Sequence, residues 1–298
     1  MSHVLTLIGA PGARDIVEAI AEDFRSSVGA SHEPFWLSPE ACDITFRAAN
    51  EDAMAAARAV VDAIPPGAPV DKLIQPVEGR RKRMLVADMD STIIQQECLD
   101  EVAGLAGIGP KIAAITDRAM RGELPFEDAL RERIALLAGF PEAKLQEVLD
   151  LQIALTPGAR QLAETMRAHG ARTVLVSGGF TFFTRCIAER AGFDVDYGNR
   201  FIIENGMVTG VADPILGQNA KLEAMSREAV HAGIGLKEVI AVGDGANDLA
   251  MLKAAGLGVA YHAKPIVAAE AKARIDHGDL TALLFLQGYR VEDFASQD

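Results

Sequence analysis

The feature that most constrains this chain is a pair of carboxylates placed directly after a short apolar run. Met84 to Ala87 is apolar at every position and is followed by Asp88-Met-Asp90. Such a run predicts a strand buried on both faces of a parallel sheet, and ligands bind beyond the carboxyl ends of such strands. Residues two apart in extended chain point to the same side, so both carboxylates can face one ligand. An Asx turn that merely closes a strand is the alternative reading of an isolated Asp-x-Asp.

Two further apolar runs end in loops with ligand-binding chemistry, and they favour an active site over a simple turn. Thr173 to Val176 precedes Ser177-Gly178-Gly179, a hydroxyl beside backbone that can approach an anion closely. Val239 to Val242 precedes the segment Gly243 to Asp248, which has carboxylates for a hard cation and glycines for a tight loop. Lys221 lies between these runs, at the start of a helical apolar pattern.

In this order, the four segments resemble the signature of the haloacid dehalogenase superfamily of phosphotransferases. From Met84 to about Asp279 the chain is similar to the phosphoserine phosphatases of that superfamily. The residues that carry this closer resemblance are D-M-D-S-T at Asp88 to Thr92, Glu97, Met120, Phe126, Arg133, V-S-G-G-F at Val176 to Phe180, and V-G-D-G-A-N-D at Val242 to Asp248.

The resemblance implies hydrolysis of O-phospho-L-serine, the last step of serine biosynthesis, through an aspartyl-phosphate. Asp88 is the implied nucleophile, and Asp90 the implied acid and base. It also implies a magnesium ion held by the Asp88 carboxylate, the Asp90 carbonyl and Asp244, with Asp248 in support. Carboxylate oxygens, water and phosphate suit Mg²⁺. Helix capping is the alternative role for Asp248.

Substrate binding is implied for a second set of residues. Their expected roles are phosphoryl binding by Ser177, Gly178, Lys221 and Asn247, ammonium binding by Glu97, carboxylate binding by Arg133, and exclusion of water by Met120 and Phe126. Without the resemblance, the sequence favours a surface residue for Arg133 and a solvated helix residue for Lys221. A phosphatase or phosphotransferase for another small phosphate ester, and a non-catalytic amino-acid sensor, are the rival functions.

The periodicity predicts an α/β fold with two unequal domains. Residues 79–298 are expected to form a Rossmann-like parallel sheet core, with a helical cap insertion at about 97–155 that covers the strand ends. An Asn205-Gly206 pair between apolar runs predicts a hairpin. Residues 1–78 have the order βαββαβ of a ferredoxin-like unit and resemble the ACT regulatory domain. The cationic segment Glu78 to Arg83 is interpreted as a solvated linker.

Composition narrows the partners and the compartment. Lys plus Arg number 29 against 42 Asp plus Glu, a formal charge of −13, and nucleic-acid binding requires the opposite sign. Three widely separated cysteines predict a reducing, cytoplasmic location and no disulfide framework. No apolar run approaches the ~20 residues that span a bilayer. We therefore expect a small-molecule substrate and no nucleic-acid or membrane partner. The N-terminal unit indicates a homodimer as the assembly to test.

Overall fold

The N-terminal unit is a four-stranded antiparallel sheet with two helices on one face. A computed structural model describes residues 2–121, 123–217 and 219–296, with the backbone alone at Met120. The strand order β2-β3-β1-β4 is that of a ferredoxin-like unit. The βαββαβ prediction is therefore confirmed at the level of its elements, which are β1 His3–Gly9, α1 Arg14–Val28, β2 Phe35–Trp36, β3 Ala41–Phe46, α2 Glu51–Asp62 and β4 Val70–Pro76.

The larger unit is built on six parallel strands in the order β12-β11-β10-β5-β6-β7, which confirms the predicted α/β class. The central strand β5 alternates between two cores, with Leu85 and Ala87 in one and Met84 and Val86 in the other. This explains the uninterrupted apolar run, since neither face meets solvent. The strands are β5 Met84–Ala87, β6 Arg172–Phe180, β7 Val195–Asn199, β10 Val239–Gly243, β11 Leu257–Tyr261 and β12 Ala273–Ile275.

A helical insertion follows β5, as predicted, and a hairpin packs against it. Asn205 and Gly206 have φ angles of 52° and 74°, the left-handed pair of a type I′ turn. The Gly139 N–H donates to the carbonyl of Val208 at 2.8 Å, which joins the cap to the hairpin. These elements are α3 Cys98–Leu105, α4 Gly109–Met120, α5 Phe126–Ala135, α6 Glu142–Leu151, β8 Phe201–Glu204 and β9 Met207–Val211.

The remaining helices cover the two faces of the parallel sheet. They are α7 Ala159–Ala168, α8 Thr181–Ala191, α9 Ala220–Ala232, α10 Leu249–Ala254, α11 Pro265–Glu270 and α12 Ala282–Leu286. Across the described ranges, no helix is both long and apolar enough to cross a bilayer.

The cationic segment between the two units is largely exposed, as expected of a solvated linker, but Arg80 is drawn inward, so the interpretation was wrong for that residue. Arg80 pairs at 2.7 Å with the buried carboxylate of Asp43 in β3. The Arg81 guanidinium lies 3.9 Å from the centre of the Tyr289 ring. A buried carboxylate needs a cation partner, and this requirement draws Arg80 inward.

A second buried carboxylate fastens the N-terminal unit to the parallel-sheet unit. Asp71 in β4 accepts hydrogen bonds from the backbone N–H groups of Asp276, His277 and Gly278, with the two shortest at 2.7 and 2.8 Å. Burial raises the pKa of Asp71, and the backbone donors oppose that rise. The two units therefore share an interface with specific polar contacts.

Candidate active site

The loops after β5 and β10 and the last residues of β6 meet at one edge of the sheet, beneath the helical cap. They line a cavity of about 210 Å³ together with residues of α3 and α5. Most of the residues predicted from the sequence to form the site line this cavity, namely Asp88, Asp90, Glu97, Phe126, Arg133, Ser177, Gly178, Asp244 and Asn247. Lys221 lies behind Asp88 and pairs with both Asp88 and Asp248.

Asp88 is the first residue beyond β5 and is 4% exposed. Its backbone N–H donates to the Val242 carbonyl at 3.0 Å, which extends the strand pairing by one step. Its Oδ1 atom accepts the Met89 N–H at 2.7 Å and lies 2.7 Å from Nζ of Lys221. Both contacts are made by Oδ1, so they orient the carboxylate and leave Oδ2 for another partner.

Lys221 bridges two carboxylates, because its Nζ atom also lies 2.6 Å from Oδ1 of Asp248. The other oxygen of Asp248 accepts the Gly245 N–H at 3.0 Å. Asp248 makes no side-chain cap at α10, but its bond to the Gly245 N–H caps the short 3-10 helix Ala246–Asp248. The capping alternative therefore holds alongside the contact with Lys221. A Cβ atom on Gly243 would lie 2.3 Å from Cγ of Asp248, which explains the glycine at the end of β10.

The charges around Asp88 are unbalanced towards the negative. Burial raises the pKa of Asp88 well above its usual range, Asp248 adds to the rise, and Lys221 opposes it. Burial and Asp248 also raise the pKa of Asp244. Burial alone would lower the pKa of Lys221, but its two carboxylate partners raise it above the ordinary value.

The same three carboxylates offer a site for a cation. One oxygen from each of Asp88, Asp244 and Asp248 lies within 4.8 Å of the others. An all-oxygen set with excess negative charge fits a hard divalent ion. Asp248 already uses both oxygens on Lys221 and Gly245, so it suits a supporting position.

Asp90 is held by two donors, one on each oxygen. Its Oδ1 atom accepts the Cys98 N–H at 2.9 Å, and its Oδ2 atom accepts the Ser177 hydroxyl at 2.8 Å. The Gly179 N–H donates to Oγ of Ser177 at 2.7 Å. Ser177 therefore connects the C-terminal part of β6 with the loop after β5.

The backbone turns sharply between Asp90 and Glu97. Ser91 has a φ angle of 54°, which is rare for a residue with a side chain. Its hydroxyl donates to Oε1 of Glu97 at 2.7 Å. The Glu97 side chain is accessible from the cavity, yet burial by the surrounding protein, with Asp90 adding, raises its pKa to about 7.

Arg133 lies across the cavity on α5 and is half-buried, so the surface alternative does not hold. Burial lowers its pKa, while Asp100 and Glu97 oppose that change and keep the guanidinium charged. Its Nε atom donates to the Ala129 carbonyl at 3.3 Å. Phe126 closes the space beside Gly178, since its Cζ atom lies 3.5 Å from the point where a Cβ would stand on that glycine.

Lys264, which was not among the predicted site residues, also lines the cavity. Its backbone N–H donates to the backbone carbonyl of Asp244 at 3.2 Å. Its side-chain charge acts to lower the pKa of the Asp244 carboxyl group. It follows β11, so the strand-end rule that identified the other loops could have found it. Met120 ends α4, and its side chain lies outside the described residues.

Comparisons with known proteins agree with this geometry. Residues 85–253 match the haloacid dehalogenase-like hydrolase family. A phosphoserine phosphatase from Haemophilus influenzae is 45% identical over 204 residues, which make up 68% of this chain and 65% of the relative. This chain thus spans just under two thirds of that relative's length.

Two solved structures extend the comparison. A probable phosphoserine phosphatase from Vibrio cholerae is 30% identical, with a TM-score of 0.75 over 98% of this chain and 88% of that one. A phospho-aspartyl intermediate analogue of phosphoserine phosphatase is 38% identical, with a TM-score of 0.63 over 69% of this chain and 98% of that one. The first covers both units of this chain.

The excess of negative charge predicts that a divalent cation stabilises the folded chain. At 100 times its dissociation constant, Mg²⁺ should add about 2.7 kcal/mol to the free energy of unfolding. Asp244→Asn should remove most of this gain, because it replaces a charged ligand by a neutral one. Thermal unfolding with and without Mg²⁺ measures both effects. Asp117→Asn, on the exposed surface of α4, is the control, and an equal loss of the Mg²⁺ effect in both variants would contradict the site.

Proposed function

The chain belongs to the haloacid dehalogenase-like hydrolase family, and from this premise we propose that it hydrolyses O-phospho-L-serine to serine and phosphate. One observation carries the proposal. A single small cavity is lined by Asp88 and Asp90 and also by a carboxylate and a guanidinium, those of Glu97 and Arg133. The similarity to phosphoserine phosphatases supports the same substrate.

In the first step, Oδ2 of Asp88 attacks phosphorus and the bond from phosphorus to the serine oxygen breaks. Asp90 gives the proton on its Oδ2 atom to that departing oxygen. Ser177 now holds this Oδ2, and its hydroxyl can turn to a phosphoryl oxygen when substrate is bound. The solved phospho-aspartyl analogue supports a covalent intermediate of this kind.

In the second step, Asp90 takes a proton from water as the water oxygen attacks phosphorus. The bond from phosphorus to Asp88 breaks and inorganic phosphate leaves, which returns Asp88 to its carboxylate form and Asp90 to its protonated form. Lys221 places positive charge beside the transferring group throughout, while Asn247 lies at the cavity wall to bind its oxygens.

We propose Mg²⁺ as the resident cation, held by Asp88 and Asp244 with the Asp90 carbonyl as a further ligand and Asp248 in support. When bound, it would neutralise charge on the phosphoryl oxygens. The carboxylate set described above supports this assignment.

A second pair of cavity residues supports recognition of an amino acid. Ser91 holds Glu97 for a substrate α-ammonium, and the Nη atoms of Arg133 remain for the α-carboxylate, since Nε is bound to Ala129. A planar fork of two N–H groups matches a carboxylate. Leu99 and Leu130 line the space between these charges.

Residues 1–78 are proposed to act as an ACT-like regulatory or dimerisation domain, ahead of a phosphatase domain at 79–298. The ferredoxin-like strand order supports this. So does the short edge strand β2, where Phe35 is 54% exposed. A homodimer and a cytoplasmic location stay predictions.

A substrate panel with a matched pair of variants tests the proposed substrate. Phosphoserine should exceed phosphoethanolamine and sugar phosphates in kcat/KM. Arg133→Lys should lower kcat/KM for phosphoserine about 10- to 100-fold and that for phosphoethanolamine, which lacks the carboxylate, by no more than about threefold. Arg118→Lys on the exposed face of α4 is the control. Preference for another ester would favour the rival phosphatase function, and equal losses on both esters would show that Arg133 does not bind the carboxylate.

The raised pKa of Glu97 predicts a pH dependence confined to substrates with an ammonium. Below about pH 7 the carboxyl becomes neutral and no longer pairs with that charge. The reference substrate is the phosphate ester of 3-hydroxypropanoate, which lacks the ammonium. The ratio of kcat/KM for phosphoserine to kcat/KM for this ester should therefore fall as the pH falls, by a factor that approaches about ten per pH unit. A bound cation opposes the nearby carboxylates and lowers the midpoint without changing this direction. Glu97→Gln should flatten the ratio, whereas a constant ratio in the unaltered enzyme would contradict the assignment.

A further inference from the structure

Residues 177–179, which carry the proposed phosphoryl-binding groups, form a bulge in the sheet. Strands β6 and β7 pair at Val176 with Tyr197 and again at Phe180 with Asn199, with a register shift between the two pairs. Three residues of β6, at 177–179, thus stand opposite one residue of β7. That residue is Gly198, where a Cβ would lie 3.1 Å from the Thr181 nitrogen. A bulge removes carbonyls and N–H groups from the ladder, and these need other partners.

Asn199 supplies the missing partner with its side chain. Its Nδ2 atom donates to the Gly178 carbonyl at 2.8 Å. Its Oδ1 atom accepts the Leu216 N–H at 2.8 Å. The residue is 2% exposed, so both bonds are shielded from water.

These bonds continue to the acid and base of the reaction. The Gly178 carbonyl and the Gly179 N–H belong to one planar peptide group, so fixing one fixes the other. The Gly179 N–H donates to Oγ of Ser177, which leaves the Ser177 hydroxyl proton to be donated to Asp90. Asn199 therefore sets the orientation of Ser177 through a single peptide plane.

The other side of Asn199 reaches the cap. The segment 212–217 that contains Leu216 runs alongside α5. Oδ1 of Asp213 accepts from Arg131 at 2.5 Å, and a Cβ on Gly217 would lie 2.8 Å from Oε1 of Glu127. Helix α5 also carries Arg133, so Asn199 lies between the phosphate-binding bulge and the helix that binds the far end of the substrate.

We propose that Asn199 is a positioning residue for phosphoryl transfer, which holds the Gly178–Gly179 peptide and so fixes Oγ of Ser177. From that position the Ser177 hydroxyl donates to Asp90 in the free enzyme and to the transferring phosphoryl group when substrate is bound. The inference rests on the proposed function, because it gives Asn199 a part in that reaction. It acts through Ser177 and does not itself contact the substrate.

Asn199→Asp is the direct test, because it keeps the size of the side chain and the acceptor for Leu216 but loses the donor to Gly178. We expect kcat for phosphoserine to fall about 10- to 100-fold, with KM changed by no more than about threefold. Affinity for vanadate, which resembles the transition state, should fall in parallel with kcat, while affinity for inorganic phosphate should change little. If Asn199→Asp does not fold, Asn199→Ser is read in its place, with the same expectations.

Gln287→Glu provides the matched control. Gln287 is 1% exposed, its amide oxygen accepts the Lys82 N–H at 3.0 Å, and its amide nitrogen donates to the Leu283 carbonyl at 3.0 Å. The same change there should lower the melting temperature and leave kcat and vanadate affinity unchanged.

A double-mutant cycle with Ser177→Ala isolates the route through Ser177. Asn199→Asp should cost much less in that background, since the group it positions is already absent. Unchanged kcat, equal losses of vanadate and phosphate affinity, or full additivity with Ser177→Ala would each overturn the proposal. Vanadate binding and turnover of p-nitrophenyl phosphate are also measured, because neither depends on phosphoserine being the substrate. The role of Asn199 can therefore be tested even if phosphoserine is not turned over.

Discussion

The ammonium of Lys221, 2.7 Å from Asp88 and 2.6 Å from Asp248, is the interaction on which the site depends. All three groups are buried, and breaking such a set by removing one partner costs about 3–5 kcal/mol. The contact joins α9 to the loops after β5 and β10, so folding brings the motifs together. Lys221 and Lys264 together do not balance Asp88, Asp244 and Asp248, and this imbalance makes the edge of the sheet suited to a divalent ion.

The polar contacts around the cavity form two connected groups. Lys221 orients the proposed nucleophile, while Ser177 and Asn199 link the proposed acid and base to the bulge in β6 and to the segment beside the cap. Glu97 belongs to the same turn as Asp90, because Ser91 in its left-handed conformation brings the two ends of that turn together. Chemistry and substrate recognition thus share a rigid framework, as a site with a small substrate requires.

Much of the fold could be predicted because it follows from local patterns. The strands before each loop, the cap helices and the Asn205-Gly206 hairpin all have short periods or turn signals. The sequence could not predict Asn199, whose role arises only from a register shift between β6 and β7. It also misplaced Arg80, whose partner Asp43 lies 37 residues earlier and becomes visible only when the units pack. Contacts of this kind depend on tertiary geometry, and the periodicity of the sequence carries no information about it.

Covalent catalysis by Asp88 is the central claim, and trapping the intermediate tests it most directly. Phosphoserine labelled with ³²P is mixed with enzyme and Mg²⁺, quenched in acid within milliseconds, and the labelled peptide is identified by mass spectrometry. The account predicts label on Asp88, formed at least as fast as turnover, and none in Asp88→Asn. Label on another residue, or phosphate release at the normal rate by Asp88→Asn, would contradict it.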